Sequence, residues 1–457
     1  MELTDTIAAI ATAPGEGSIS IVRLSGPESL AIADRIMRCA PPQPSGRPSH
    51  VVVHGFITEA GRDVDEVIAL IMRRPHSYTG EDSVEFQGHG GRIMAGRILR
   101  AVLAGGARMA EPGEFTKRAF LNGRMDLLQA EAVLDIVKAR SDRAAIAAME
   151  QLEGGLSRQI NSAYDRLLSV TADIEASLDF PDDEIPPLAH QDLMSRLNGV
   201  LDSLRLMSGT WNEGRMLRDG IMIVITGKTN VGKSTLLNTL LDMPRAIVSP
   251  IPGTTRDILE EALVLNGIPI RLVDTAGLRD SECEIELEGI RRAKGSAEKA
   301  DFQLYVLDSS VELAEDEKER LGCLEAGRCI LVLNKSDLGS RIDEADLCQL
   351  PFVRTSLLNG DGVPELKNKI SELFEVRGAR GADPHAAISE RHYQLLSQAK
   401  NEVNMAAEIL TSDSDFEKTD LIATHLREAM SSIGSIVGRV YTSELLNSIF
   451  SRFCIGK

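Results

Sequence analysis

The chain has 457 residues and a net charge of −18, with only 4% aromatic residues. That length exceeds one ordinary core and implies roughly three domains. No run of about 18 apolar residues offers a membrane span, and no export signal opens the chain, so a soluble cytoplasmic protein is expected. Six cysteines without a C-x-x-C pair argue against a disulfide framework or a zinc site. Residues 1–120, 121–217, 218–378 and 379–457 carry −1, −7, −8 and −2. No segment is basic, so a nucleic-acid substrate would have to be held by a local patch or by a partner protein.

Residues 1–120 read as a mixed α/β domain. Short β-rich runs (Ser18 to Val22, Val51 to Val53, Val67 to Met72, Val84 to Phe86) alternate with helical stretches at Ser29 to Met37 and Ile93 to Leu103. Gln87-Gly-His-Gly-Gly91 and Glu111-Pro-Gly-Glu-Phe115 read as loops shaped for a ligand. From Asp126 the period becomes helical: Leu127, Leu128, Val133, Leu134, Val137, then Ile146, Met149, Leu152, Leu156, Ile160, Tyr164 and Leu167. A further helix carries Leu193, Leu197, Leu201 and Leu204. The same spacing returns at Leu395, Ala399, Val403, Ala406 and Leu410, and again at Leu445, Leu446, Ile449, Phe450 and Phe453. The simplest organisation is one helical domain made of 121–217 and 379–457, split by an inserted α/β domain at 218–378.

The insert opens on the apolar strand Ile221 to Ile225, which runs into Gly227-Lys-Thr-Asn230-Val231-Gly232-Lys233-Ser234 and a helix beginning near Thr235. In this phosphate-binding pattern the glycines admit positive φ and turn amides toward phosphate oxygens. Lys233 reaches the outer phosphates, Ser234 ligates Mg²⁺, and the helix adds its positive end. Asp274-Thr275-Ala276-Gly277 leaves the strand Ile270 to Val273 and places a carboxylate beside the metal shell. Asn334-Lys335-Ser-Asp337 leaves the strand Ile330 to Leu333. The Asp337 carboxylate can accept from both N1–H and the N2 amine of guanine, which adenine lacks, so the nucleotide is GTP. Asn334 and Lys335 buttress that loop, and Ser356 follows the Phe352 strand as a backbone contact. Pro252-Gly-Thr254-Thr255-Arg-Asp257 reads as a switch whose Thr255 hydroxyl completes the Mg²⁺ shell. Leu278 follows the Gly277 motif and cannot orient an attacking water, so another group must do so. The carboxylates Glu282, Glu284, Glu286 and Glu288, and Asn230 as a cation ligand, are the candidates.

With these motifs, Gln87-Gly-His-Gly-Gly91, Pro112-Gly-Glu-Phe-Thr-Lys-Arg-Ala-Phe-Leu-Asn122 and the tail Phe453-Cys454-Ile-Gly-Lys457, the chain resembles the tRNA modification GTPase family, MnmE or TrmE, over its whole length. The resemblance implies an α/β plus all-α protein: an N-terminal folate-binding and dimerisation domain, a discontinuous helical domain and an inserted Ras-like G domain with a doubly wound sheet. It also implies a homodimer that works with the flavoprotein MnmG, in a heterotetramer, on the wobble uridine of certain tRNAs. The one-carbon donor would be a 5-formyl- or methylene-tetrahydrofolate. Hydrolysis would require K⁺, held by Asn230 with backbone groups of Ser249, Ile251 and Thr254, and Glu286 would orient the water. Folate would meet Arg23, Glu85, Arg124 and Lys457, with Cys454 the nearby thiol and Gly456 lending the tail flexibility. Arg124 stands where Lys is frequent, which keeps charge but not geometry. The competing reading is a regulatory GTPase switch of ribosome assembly, which has no use for the split helical domain, the N-terminal domain or the Cys-containing tail.

Overall fold

In the computed structural model the residues described are 5–179, 190–241, 260–265, 267–274, 300–374, 388–412 and 419–457. Near the N-terminus, alternation of apolar and polar residues builds a seven-stranded sheet in the order β3-β4-β5-β6-β2-β1-β7. Its strands are β1 (Ile7–Ile10), β2 (Ile19–Ser25), β3 (Met37–Cys39), β4 (Val51–Glu59), β5 (Arg62–Met72), β6 (Ser83–His89) and β7 (Arg108–Met109). Helices α1 (Ser29–Ile36) and α2 (Arg92–Ala104) cover one face, where Val22, Leu24, Val84 and Phe86 join Ile32, Ile98 and Val102 in one core. The alternate residues of β2 and β6 face the other way, with Arg23 opposite Glu85 and Ile21 opposite Gln87. On that second face α3 (Glu114–Leu121) sets Phe115 against Ile7, Ala9 and Tyr78.

Several expectations change here. Gln87 to His89 belongs to β6 rather than to a loop, and Glu114 already begins a helix. Strands β1, β3 and β7 carried no sequence signal of their own, being only four, three and two residues long. They exist because neighbouring strands offer them backbone partners.

The helical segments are α4 (Leu127–Lys138), α5 (Asp142–Leu152), α6 (Gly155–Asp179), α7 (His190–Gly209) and α8 (Trp211–Asp219), followed late in the chain by Glu390–Ser412, Thr419–Val437 and Ser443–Phe450. The stripe of α7 is buried as expected, but Val137, Ile146 and Met149 are about half exposed. Helix α5 instead buries Ala144, Ala147, Ala148 and Gln151. The expected stripe ran unbroken through Gly154, whose φ of 83° ends one helix before α6 starts another, so the phase does not carry across. Small residues then win the inward face because they let α5 pack closely. The last helix stops at Phe450, not Phe453.

The second sheet has the order β13-β12-β11-β8-β10-β9. Its strands are β8 (Ile221–Thr226), β9 (Glu260–Leu265), β10 (Ile268–Asp274), β11 (Phe302–Asp308), β12 (Cys329–Asn334) and β13 (Phe352–Arg354). All neighbours pair in parallel except β9 with β10, so the expected parallel sheet has one antiparallel edge. Every residue of β12 is buried, as a parallel strand covered on both faces requires. Met216 of α8 joins this core, as do Leu236 and Leu240 of α9 (Lys233–Leu241).

By contacts among elements the chain divides into two compact units. One is Met1–Leu134 with Ile160–Tyr164 and Met430–Lys457; the other is Asp135–Gln159 with Asp165–Ala429. No helix among the described residues is long and apolar enough to cross a membrane.

Candidate functional site

The phosphate-binding turn lies at the C-terminal end of β8, the edge where doubly wound sheets take ligands. Gly227 adopts φ 138°, and a Cβ there would fall 2.3 Å from the Val306 carbonyl oxygen, so only glycine lets the loop cross β11. Asn230 itself has φ 62°. The Lys233 ammonium donates to the Gly227 carbonyl at 2.9 Å, curling back over the loop it belongs to. Ser234 and Thr235 are exposed in the first turn of α9, with hydroxyl oxygens of the hard type that suits Mg²⁺.

Asn334 joins the two halves of the site. Its carboxamide is buried; Nδ2 donates to the Val231 carbonyl at 2.8 Å and Oδ1 accepts from the Leu357 amide at 3.1 Å. One side chain therefore fixes the phosphate loop and the loop after β13 relative to each other. Lys335, at φ 63°, extends to Asp308 Oδ2 at 2.6 Å. Burial pushes the Asp308 carboxyl up, but hydrogen bonds from Lys335 and Ser310 outweigh it and hold the group below its usual range. Asp337 sits in the short 3-10 turn Ser336–Leu338 that this pair stabilises. The Ser356 amide donates to the Asp361 carbonyl at 3.0 Å, and its buried hydroxyl meets no partner among the described residues. Asp274 ends β10 in register with Ile225, two residues before Gly227. Ser249, Ile251, Thr254, Thr255, Thr275, Ala276, Gly277 and Glu286 lie outside the described residues.

In the other unit a cluster of charged and aromatic side chains lies on the second face of the seven-stranded sheet. Arg23 Nε donates to Glu85 Oε1 at 2.7 Å, with both side chains mostly buried. The Arg23 guanidinium carbon lies 5.1 Å from the centre of the Tyr78 ring and 5.6 Å from that of Phe115. Arg124 is exposed just past α3, its amide bonded to the Ala119 carbonyl. The C-terminal residues reach the same sheet. Lys117 Nζ of α3 donates to Asn447 Oδ1 at 3.0 Å, and the Gly113 amide points to the Cys454 carbonyl at 3.4 Å. Gly456 is buried at φ 97°, where a Cβ would fall 2.4 Å from the Ile10 carbonyl oxygen. Cys454 stays exposed and Lys457 is half-buried. Ala9, next to Ile10 on β1, is the strand partner of Arg23, so the tail ends beside this cluster.

The family "GTP-binding protein TrmE N-terminus" matches residues 6–124, and "MnmE helical domain" matches 127–454. The chain belongs to the tRNA modification GTPase family. A relative from Geobacter sulfurreducens, named tRNA modification GTPase MnmE, is 43% identical over 461 residues, with 100% of both chains covered. One of the same name from Moorella thermoacetica is 44% identical over 468 residues, again covering 100% of each.

Several residues of these two clusters were not singled out by the sequence. Asp308 carried a weak signal, as a carboxylate ending an apolar strand level with Asn334. Tyr78 had none, because an aromatic residue in a loop reads as core, and Phe115 was legible only as part of the Glu111-Pro-Gly-Glu-Phe115 stretch, without a role of its own. Gly456 was read as a source of flexibility, whereas here it permits close approach. Replacing it with Val would force a β-branched residue to positive φ and against Ile10, costing roughly 1–3 kcal/mol. Carboxypeptidase should then release Lys457 about tenfold faster than from the wild type. Equal release rates would mean that the tail is not held by this contact.

Proposed function

We propose that the chain is a GTP hydrolase of tRNA modification that acts with a flavoprotein partner, MnmG, to add an aminomethyl-type group at C5 of the wobble uridine. The observation that carries this reading is the Asn334 link, which joins a phosphate-binding turn to a guanine-type base loop at one sheet edge. Lys233, Ser234 and Asp274 take the phosphate and Mg²⁺ side, and Asp337 accepts from the base. Asn230, with backbone groups of Ser249, Ile251 and Thr254, takes K⁺. Thr255 closes the Mg²⁺ shell, and Glu286 orients the water that Leu278 cannot. On the N-terminal sheet face Arg23, Glu85, Arg124 and Lys457 hold a tetrahydrofolate one-carbon donor, with Cys454 beside it. The four-segment division at 120, 217 and 378, a cytoplasmic location, a homodimer through the N-terminal domains and a heterotetramer with the partner complete the reading.

Hydrolysis should run well faster in K⁺ than in Na⁺ at equal ionic strength, and Glu286→Ala should bind GTP normally yet turn over slowly. Equal rates in the two salts would remove K⁺ from the site. A fully active alanine variant would assign the water to another group. Wobble-uridine modification assayed with the flavoprotein, tRNA and 5-formyl- or methylene-tetrahydrofolate separates this reading from a ribosome-assembly switch, which would hydrolyse GTP without modifying tRNA.

A further inference from the structure

Arg23 is held at one edge only. Its Nε is bonded to Glu85, while its terminal nitrogens make no hydrogen bond among the described residues. A long side chain fixed in this way still loses rotamer freedom on binding unless its plane is already set. Two rings set it. Phe115 is fully buried against Ile7, Ala9 and Ala110. Tyr78 is fixed by its own hydroxyl, 2.8 Å from Thr116 Oγ1 of α3. The turn that carries Tyr78 is itself rigid, since Ser77 Oγ donates to the Glu81 carbonyl, and Thr79 Oγ1 lies 2.6 Å from Ser25 Oγ on β2. Burial pushes the Tyr78 phenol up from its ordinary value, and the Thr116 bond and the charges of Arg23 and Arg124 only partly reverse that. The ring is therefore neutral at physiological pH, and both cations lie within its electrostatic reach.

We propose that Tyr78 is a positioning residue of the N-terminal site: its ring holds the Arg23 guanidinium plane against Glu85, so that the remaining N–H groups are set for the ligand before it arrives. A cation is attracted to the negative face of an aromatic ring, and packing against Phe115 together with the hydroxyl bond to Thr116 aims that face. The inference rests on the reading of this cluster as a reduced-folate site.

The test is calorimetric titration of the full chain with 5-formyl-tetrahydrofolate. Tyr78→Phe keeps the ring and should bind within about twofold of the wild type, whereas Tyr78→Leu should bind about five- to tenfold more weakly. In an Arg23→Lys background, which keeps the charge but loses the planar fork, Tyr78→Leu should add less than about twofold. A role confined to folding would weaken binding equally in both backgrounds and would overturn the proposal. So would wild-type affinity in Tyr78→Leu. Thermal unfolding of each variant checks that the fold is retained. Absence of binding by the wild-type chain would overturn the folate reading itself and this inference with it, whereas binding that ignores Tyr78 overturns only the positioning role.

Discussion

Arg118→Met should destabilise the N-terminal unit by about 3–5 kcal/mol, the range found when one partner is removed from a buried ionic group. The guanidinium is fully buried. Its terminal nitrogens donate to Asp5 Oδ1 at 2.7 Å, to the Asp5 carbonyl at 2.9 Å, to Glu114 Oε1 at 2.9 Å and to Glu81 Oε1 at 3.3 Å. Met fills the volume but leaves three carboxylates facing one another, with Arg108 still bonded to Glu114 and Asp5. The same network sets the acid limb of stability. Burial pushes the Glu114 carboxyl up, yet Arg108, the Glu111 amide and Arg118 together hold it below its usual 4.5. A depressed carboxylate contributes stability that is present above its unfolded value and lost as pH falls through the folded one. Wild-type stability should therefore decline below about pH 4.5, and Arg118→Met should show a shallower decline because Glu114 has lost a partner. Denaturant unfolding at pH 7 and at pH 4 measures both. A variant as stable as the wild type at neutral pH would show that the carboxylates find other partners.

Asn334→Ala should weaken GTP binding by about 10- to 100-fold, because the Val231 carbonyl and the Leu357 amide are both left unpaired in the interior. Each orphaned buried group costs about 1–3 kcal/mol, and the two loops respond by moving apart, which separates the phosphate contacts from the base contacts. Asn334→Asp keeps the acceptor for Leu357 but sets a carboxylate oxygen against the Val231 carbonyl, so it should rescue little. Titration with a fluorescent guanine nucleotide distinguishes these outcomes. Affinity within about twofold of the wild type in the alanine variant would mean that the loops are placed by backbone bonds alone, such as that from the Ser336 amide to the Thr355 carbonyl.

Much of this protein was legible in its residues. A parallel strand buried on both faces must be continuously apolar, so β8 and β12 announced themselves, and the motif of each followed its strand at the edge where ligands bind. Helices α7 and Glu390–Ser412 were equally clear, since a stripe that repeats for about three to four turns has few alternatives. Tertiary structure decided what short-range patterns do not encode. The two-residue β7 and the antiparallel β9 exist through their neighbours. The inward face of α5 went to alanines because Gly154 reset the helical phase. Chemistry assembled from distant segments was equally invisible. Tyr78 meets Arg23 across a sheet face, Lys335 finds Asp308 on the neighbouring strand, and Gly456 closes on Ile10 from the opposite end of the chain. Each of those contacts depends on which strands become neighbours, a choice made by burial of the whole sheet rather than by the residues that then meet.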